Sequence, residues 1–193
     1  MIEVELKYRL DDPESLLAAL IARGAAPSSE SIERDIYFNH PARDFGTTDE
    51  ALRLRWDGSH ATVTYKGPLL DRVSKSREEL ELELNGESAL ATAGQILERL
   101  GFREVRAVEK RRRKFPLIFE GRPVLVTIDD VTGLGLFAEL EALAEQEGYE
   151  GVRDSLVRFA SGLGLNQSER RSYLQLLMER ERPASQQSPR PGL

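Results

Sequence analysis

The chain has 193 residues, of which 40% are hydrophobic and 31% charged, so it is long enough for one domain with a sizeable core. It has no cysteine and only two histidines, which excludes a disulfide framework, thiolate ligands, a cysteine nucleophile and a histidine-rich metal centre. The formal net charge of -6 argues against non-specific binding to nucleic acid, for which a basic excess is usual.

The first half of the chain alternates predicted strands with a helix. Segment 1–10 places apolar and charged residues at strictly alternating positions, which predicts a strand with two committed faces. Asp12-Pro13 then begins a helix that ends near residue 23. Later strands are predicted over these segments: 32–39, 51–57, 60–67 and 74–85.

The second half is predicted to contain three strands between helices. The predicted strands are 103–116, 122–131 and 135–143, and the predicted helices are 87–100, 151–163 and 168–180. The tail from Pro183 is rich in Pro, Ser and Gln and has too little apolar surface to fold. We therefore predict one domain over 1–178 and a disordered tail over 179–193.

Most of the predicted strands carry a charged or polar residue at every second position. A half-exposed antiparallel sheet explains any one of them. A half-exposed sheet explains all of these strands together less well, because cationic and acidic residues occur on one consecutive strand after another. The apolar faces of the helices must also pack against something, and the apolar faces of the strands are what is available. We therefore predict an α+β fold: a closed antiparallel barrel or tunnel of about eight strands, with a polar charged lumen and helices packed on the outside.

The charges inside such a barrel indicate its ligand, because enclosed charges must be paired with one another or with a ligand. The predicted basic residues are Lys7, Arg9, Arg53, Arg55, Lys66 and Arg77, with either Lys110 and Arg112 or Arg111 and Arg113, since strand parity does not choose between those pairs. The predicted acidic residues are Glu3, Glu5, Glu79, Glu81, Asp129, Glu139 and Glu141. The basic set suits phosphate oxygens, and the acidic set tolerates phosphate when Mg2+ or Mn2+ lies between them. A metal-bound polyphosphate satisfies both.

A series of motifs resembles the CYTH superfamily, also called the triphosphate tunnel metalloenzymes. Glu3-Val4-Glu5-Leu6-Lys7 resembles its ExExK signature, which by itself occurs in any amphipathic strand. The motifs that follow in family order are Asp35-Ile36-Tyr37-Phe38, Leu52-Arg53-Leu54-Arg55, Thr64-Tyr65-Lys66-Gly67-Pro68, Arg77-Glu78-Glu79, Glu109-Lys110-Arg111-Arg112, Ile128-Asp129 and Phe137-Ala138-Glu139-Leu140-Glu141. The resemblance spans roughly residues 1–178, and it selects Lys110 and Arg112 as the lumen pair.

Within the superfamily the chain looks most like the class IV adenylate cyclase (CyaB-like) branch, through Thr132-Gly133-Leu134-Gly135 and the Arg171-Ser172-Tyr173 ending. The resemblance implies an enzyme that converts ATP to cyclic AMP and pyrophosphate. The segment from Lys66 to Glu83 and the additional Glu141 also resemble members that hydrolyse triphosphates. A triphosphatase acting on tripolyphosphate or an organic triphosphate such as thiamine triphosphate is therefore the alternative, followed by a non-catalytic polyphosphate or nucleotide-binding module.

The resemblance also implies roles for the lumen residues. The implied ligands of Mg2+ or Mn2+ are Glu3, Glu5, Asp129, Glu139 and Glu141. The implied triphosphate-binding residues are Lys7, Arg53, Arg55, Lys66, Arg77, Lys110 and Arg112. Lys7 and Glu5 are the expected catalytic residues. Lys7 orients a phosphate or assists deprotonation of the nucleophile, and we favour the phosphate role because Glu3 and Glu5 should stabilise its charged form.

The expected cellular location and binding partners of the protein depend on features that its sequence does not contain. No apolar run approaches the length of a membrane span, and Met1 leads directly into charged sequence. We expect a soluble cytoplasmic protein whose partner is a small-molecule triphosphate, with no nucleic acid or membrane partner. An exposed apolar sheet edge is compatible with a homodimer.

Overall fold

The computed structural model describes residues 2–71 and 73–181, which contain eight strands and five helices. The strands are β1 (Ile2–Arg9), β2 (Ser29–Asn39), β3 (Ala51–Trp56), β4 (Ala61–Lys66), β5 (Arg77–Leu84), β6 (Arg103–Phe119), β7 (Arg122–Val131) and β8 (Gly135–Ala144). The helices are α1 (Pro13–Ile21), α2 (Phe45–Thr48), α3 (Gly86–Arg99), α4 (Tyr149–Gly162) and α5 (Tyr173–Glu181). All predicted elements are present; α2 was not predicted, and α5 begins five residues later than expected.

The eight strands close into an antiparallel barrel in the order β1-β5-β4-β3-β2-β6-β7-β8, which confirms the predicted fold class. The seam between β1 and β5 is short, with only Ile2↔Glu78 and Glu3↔Arg77 paired. Beyond it, irregular segments bond to β1: the Lys75 amide donates to the Glu5 carbonyl at 2.9 Å, and the Glu169 amide donates to the Lys7 carbonyl. The barrel is therefore completed by loops as well as by strands.

Helices cover the apolar outer faces of the strands. The larger core joins α1 and α4 to the outer faces of β1, β7 and β8, and its fully buried members include Val4, Leu20, Val126, Leu140 and Ala160. A second core places Leu90 of α3 against Leu54 and Ala61 of β3 and β4. Because strand side chains alternate between faces, this outward apolar packing leaves the charged positions facing the lumen.

Helix α5 packs across one end of the barrel. Tyr173, Leu176 and Leu177 pack against lumen-facing apolar residues at that end, among them Val131 and Phe137. We call this the plugged end. Residues 179–181 of the predicted tail lie in α5, and the rest of the tail lies outside the described residues. None of the helices in the described ranges is long and apolar enough to cross a membrane.

Candidate functional site: a charged lumen

The lumen contains a cavity of about 280 Å³ lined by side chains from seven of the eight strands. The sequence-predicted residues that line it are Glu3, Glu5, Lys7, Arg53, Arg55, Lys66, Arg77, Glu79, Glu81, Lys110, Arg112, Glu139 and Glu141. Strand register explains this grouping, because Glu5 lies opposite Glu141 and Lys7 opposite Glu139 on neighbouring strands. The alternating charges thus converge on one enclosed space.

On one side of the lumen, Asp35 of β2 holds the arginines of β3. Arg55 donates to both Asp35 carboxylate oxygens, at 2.6 and 2.7 Å, and the Arg53 guanidinium lies 3.8 Å from the same carboxylate. Burial alone would raise the pKa of Asp35, but the Arg55 and Arg53 guanidiniums lower it below its ordinary value. Asp35 therefore fixes the direction in which both guanidinium groups point.

The neighbouring cations of β6 are held by buried carboxylates in the same way. Arg112 donates to Asp129 at 2.7 and 2.6 Å and also contacts Glu139. Glu33 is 1% exposed and lies 3.3 Å from the Lys110 ammonium. The pKa of Glu33 is lowered from its ordinary value because the nearby cations outweigh the effect of burial. We call Glu33, Asp35, Arg53, Arg55, Lys110, Arg112 and Asp129 the paired wall.

Two predicted lumen residues lie elsewhere. Asp129 is fully buried behind the cavity lining, where it accepts hydrogen bonds from Arg112, from Lys110 at 3.3 Å and from the Tyr173 hydroxyl at 2.9 Å. These contacts favour positioning of cations over metal ligation. The expectation for Arg9 is wrong, because β1 reaches the plugged end there and the exposed Arg9 guanidinium lies over the Phe137 ring.

On the opposite side of the lumen, carboxylates of β1 and β8 crowd one another. Burial raises the pKa of Glu3 to about 8, against the effect of the Lys66 ammonium and with the help of Glu141 and other carboxylates. Burial likewise raises the pKa of Glu141 to about 7, reinforced by Glu139 and Glu5 although Arg112 opposes it. We call Glu3, Glu5, Lys7 and Glu141 the β1–β8 wall. Its negative charge is incompletely neutralised by the protein.

The surroundings of Lys7 shift its pKa in the direction opposite to the one expected from the sequence. Lys7 is 1% exposed, and its ammonium donates to the Arg171 carbonyl and lies 4.3 Å from the centre of the Tyr173 ring. Burial and the nearby Lys75 lower the pKa of Lys7 to about 7, although Glu139 and Glu5 oppose the shift. The expected net stabilisation of its charged form is wrong because burial dominates and Glu5 pairs with Lys75 at 2.5 Å.

The remaining cations of the lining have different partners. Lys66 is paired with Glu79 and lies 3.8 Å from Glu3. Arg77 is buried and donates to the neutral backbone carbonyls of Asp49, at 3.1 Å, and Gly67. Arg77 thus lines the cavity with its guanidinium bonded to backbone carbonyls, whereas carboxylates hold Arg55 and Arg112 in place.

The carboxylates of the β1–β8 wall are the candidate ligands for a metal ion. Within residues 2–71 and 73–181, no three His, Cys, Asp or Glu side chains are already gathered around a common point. The donors are nonetheless all oxygen, and the raised pKa values of Glu3 and Glu141 show that ionising them together is unfavourable. A hard divalent cation would relieve that repulsion, so the residues present fit Mg2+ or Mn2+.

Some residues of the site, Asp35 among them, received no role in the sequence analysis. Lys75 lies in the irregular segment before β5, where no alternation marks it. Glu33 shares strand parity with Asp35, and that signal could have found it. Tyr173 reaches Asp129 only because α5 folds across the barrel end, which strand patterns do not reveal.

Comparison with known proteins places the chain among proteins of one family. The CYTH domain family matches residues 1–173. A protein of Methanocaldococcus jannaschii named "Putative adenylate cyclase MJ0240" is 37% identical over 179 residues, covering 91% of this chain and 98% of that protein. "Adenylate cyclase CyaB" of Aeromonas hydrophila is 34% identical over 178 residues, covering 89% of this chain and 86% of that protein.

The solved structure of the PH1819 protein from Pyrococcus horikoshii has a similar fold. It is 38% identical to this chain and superposes with a TM-score of 0.82. The similarity covers 93% of this chain and 99% of the Pyrococcus protein, so the barrel and its covering helices are shared over nearly their whole length.

Proposed function

The chain belongs to the CYTH family, and we propose that it is a metal-dependent enzyme that converts ATP to cyclic AMP and pyrophosphate. The observation that carries the proposal is the division of the lumen. Cations held in place by buried carboxylates line one side, and the under-neutralised carboxylates Glu3 and Glu141 line the other. The names of the Methanocaldococcus and Aeromonas relatives support cyclisation as the reaction.

The paired wall supplies the anion-binding groups. Guanidinium groups offer planar pairs of donors that match phosphate oxygens, and those of Arg53 and Arg55 are already oriented by Asp35. Groups that are held in place before the reaction need no reorganisation as charge develops on the phosphates. Lys66, Arg77, Lys110 and Arg112 extend this binding surface along the lumen.

The β1–β8 wall supplies the metal ligands in this proposal. Glu3, Glu5 and Glu141 would hold one or two Mg2+ or Mn2+ ions, with Glu139 beside them in contact with Arg112. A bound divalent ion supplies neutralisation of the phosphate charge in the ground state and the transition state. Asp129 is left out of this ligand set because Arg112, Lys110 and Tyr173 already use its carboxylate.

The reaction requires the ribose 3′-hydroxyl to be held in line with the α-phosphorus. Its oxygen forms a bond to that phosphorus, the bond from phosphorus to the oxygen bridging the β-phosphate breaks, and pyrophosphate leaves while the hydroxyl proton passes to a base or to water. Lys7 is placed to contact a phosphate, whose negative charge would raise the pKa of Lys7 and keep its ammonium protonated.

Product analysis tests the proposal. The purified protein is incubated with ATP and, separately, with tripolyphosphate, each with Mg2+ or Mn2+ and each repeated in excess chelator. Cyclic AMP and pyrophosphate should appear in equal amounts from ATP, and only with metal. ADP and orthophosphate from ATP, or hydrolysis of tripolyphosphate without any cyclic AMP, would reject cyclisation in favour of a triphosphatase. The absence of product from every triphosphate would leave only a binding role.

A further inference from the structure

Lys75 places a positive charge directly against one of the proposed metal ligands. Its ammonium lies 2.5 Å from a carboxylate oxygen of Glu5, and the two side chains are 10% and 8% exposed. Glu3 has a looser contact, because its carboxylate lies 3.8 Å from the Lys66 ammonium. The Glu5 carboxylate therefore already has a cation of the protein as its hydrogen-bonded partner.

Hydrogen bonds fix the backbone that carries Lys75. The Lys75 amide donates to the Glu5 carbonyl at 2.9 Å, which ties this irregular segment to β1. Asp71 accepts from the backbone amide of Ser74 at 2.8 Å and from its hydroxyl at 2.9 Å, and the buried hydroxyls of Ser74 and Ser76 lie 2.5 Å apart. Lys75 can therefore change its partner by rotation of its flexible four-carbon side chain alone.

Lys75 also lies close to two other cations of the cavity lining, Lys7 and Arg77. Burial lowers the pKa of Lys7, and the nearby Lys75 lowers it further. Burial and Arg77 likewise act to lower the pKa of Lys75, but Glu5 and Glu139 outweigh them and raise it above its ordinary value. A phosphate group beside these cations would relieve their mutual repulsion and attract the Lys75 ammonium.

We propose, building on the metal-dependent triphosphate function above, that Lys75 is an internal counter-ion of Glu5 that exchanges places with the divalent ion when the phosphate chain binds. Without ligands, Lys75 holds Glu5 and opposes binding of a divalent ion to it. With the phosphate chain bound, Lys75 contacts phosphate oxygens and leaves Glu5 to the metal. Lys75 thus makes the binding of metal and the binding of triphosphate favour each other.

The arrangement of the carboxylates agrees with this exchange. Across 2–71 and 73–181, no group of three carboxylates lies around a common point. Glu5 is directed to Lys75 although Glu141 lies opposite it on the neighbouring strand. An ammonium and a divalent ion on one carboxylate repel each other, so Glu5 must leave Lys75 before it joins a ligand set.

Calorimetric titration of the metal-free protein with Mn2+ alone tests the first half of the exchange. Lys75→Met removes the ammonium and keeps a long side chain. It should bind Mn2+ at least about tenfold more tightly than the unaltered protein, within the usual range of coupling between sites. Lys75→Arg keeps Glu5 paired and is the variant that decides if Lys75→Met does not fold. It should bind Mn2+ no more tightly than the unaltered protein.

Titration with methylenediphosphonate at saturating Mn2+ tests the second half. The carbon bridge of this probe is cleaved by neither a cyclase nor a triphosphatase. Lys75→Met lacks the ammonium that contacts the phosphate chain, so it should bind the probe at least about tenfold more weakly. Lys75→Arg should bind the probe within about threefold of the unaltered protein, because it keeps the charge. A merely structural role of Lys75 would weaken both ligands, whereas the exchange changes them in opposite directions.

The matched control is Lys114→Met. Lys114 also lies near a buried carboxylate, 4.0 Å from Glu33, but it is outside the cavity lining. The substitution should change neither affinity by more than about twofold. Mn2+ binding by Lys75→Met that is unchanged or weaker, tighter Mn2+ binding by Lys75→Arg, or unchanged probe binding by Lys75→Met would overturn the exchange and leave the triphosphate function standing. Failure of the unaltered protein to bind the probe with Mn2+ would overturn both proposals.

Discussion

The paired wall and the β1–β8 wall contain the same residue types at the same alternating positions, yet their carboxylates are in opposite electrostatic states. In the paired wall, cations within hydrogen-bonding distance lower the pKa of Asp35 and Asp129. In the β1–β8 wall, burial and neighbouring carboxylates raise the pKa of Glu3 and Glu141. In the paired wall, cations of the protein neutralise the buried carboxylates. In the β1–β8 wall, the buried carboxylates favour binding of a cation from solution.

The largest difference between the walls should appear in stability when Arg112 is replaced. Arg112→Ala leaves Asp129 and Glu139 buried without their main partner. Breaking a buried ion pair from one side lowers the free energy of unfolding by about 3–5 kcal/mol. Urea denaturation measures it, with Arg77→Ala as the comparison because Arg77 donates to backbone carbonyls. A loss for Arg112→Ala no larger than that for Arg77→Ala would contradict the distinction between the walls.

Glu5→Gln should affect activity more than stability. The amide keeps an oxygen acceptor for Lys75 but loses the charge that a divalent ion needs. Activity should fall at least about tenfold, the lower end of the effect of even outer-shell changes at metal sites. The assay is initial rate against Mg2+ concentration. The control is Glu109→Gln, at an exposed position outside the cavity lining. An unchanged metal requirement in Glu5→Gln would count against the proposed ligand set.

Glu3 should make stability depend on pH. Because the folded-state pKa of Glu3 is raised from 4.5 to about 8, the folded protein holds this proton more tightly than the unfolded chain between those values. The contribution of Glu3 to stability is therefore present at low pH and is lost as the pH rises through about 8.

Glu3→Gln removes the titratable group and should therefore remove this dependence of stability on pH. Without divalent metal, the variant should match the unaltered protein near pH 5 and, for a difference of about 1.4 kcal/mol in the free energy of unfolding, melt roughly 3–5 °C higher near pH 8.5. Thermal melts across this range, in chelator, provide the measurement. A difference that stays constant with pH would mean that Glu3 does not titrate as its surroundings indicate.

The smallest predicted effect concerns the link between α5 and the paired wall. Tyr173→Phe removes the hydroxyl that donates to Asp129 at 2.9 Å but keeps the ring that packs on Phe137. Since Arg112 and Lys110 still satisfy the Asp129 carboxylate, we expect a loss of about 1 kcal/mol, or roughly 2–4 °C in Tm. An unchanged Tm would show that the hydroxyl contributes nothing to holding α5.

The alternation of residue types was sufficient to predict the closed barrel and most of the charged residues that line its cavity. It works for Glu3, Arg55 and Glu141 because a strand directs every second side chain to one face. It fails for Lys75, which enters the site from an irregular segment, and for Asp129, whose carboxylate is sealed by α5. Alternation also says nothing about which charges are paired, because pairing depends on strands distant in sequence.

The placement of β1 beside β8 has a consequence for the order in which the molecule is assembled. Ile2 pairs with Ala144, so the first strand is secured only after the last strand is available. Contacts between such distant segments slow folding, because the entropy of closing the intervening chain into a loop is lost before the stabilising contacts form. During synthesis, β2 to β7 can pair first, and the carboxylates of β1 join the lumen last. Pulsed hydrogen exchange during refolding should therefore show the β1 amides gaining protection together with those of β8 and after those of β3 and β4.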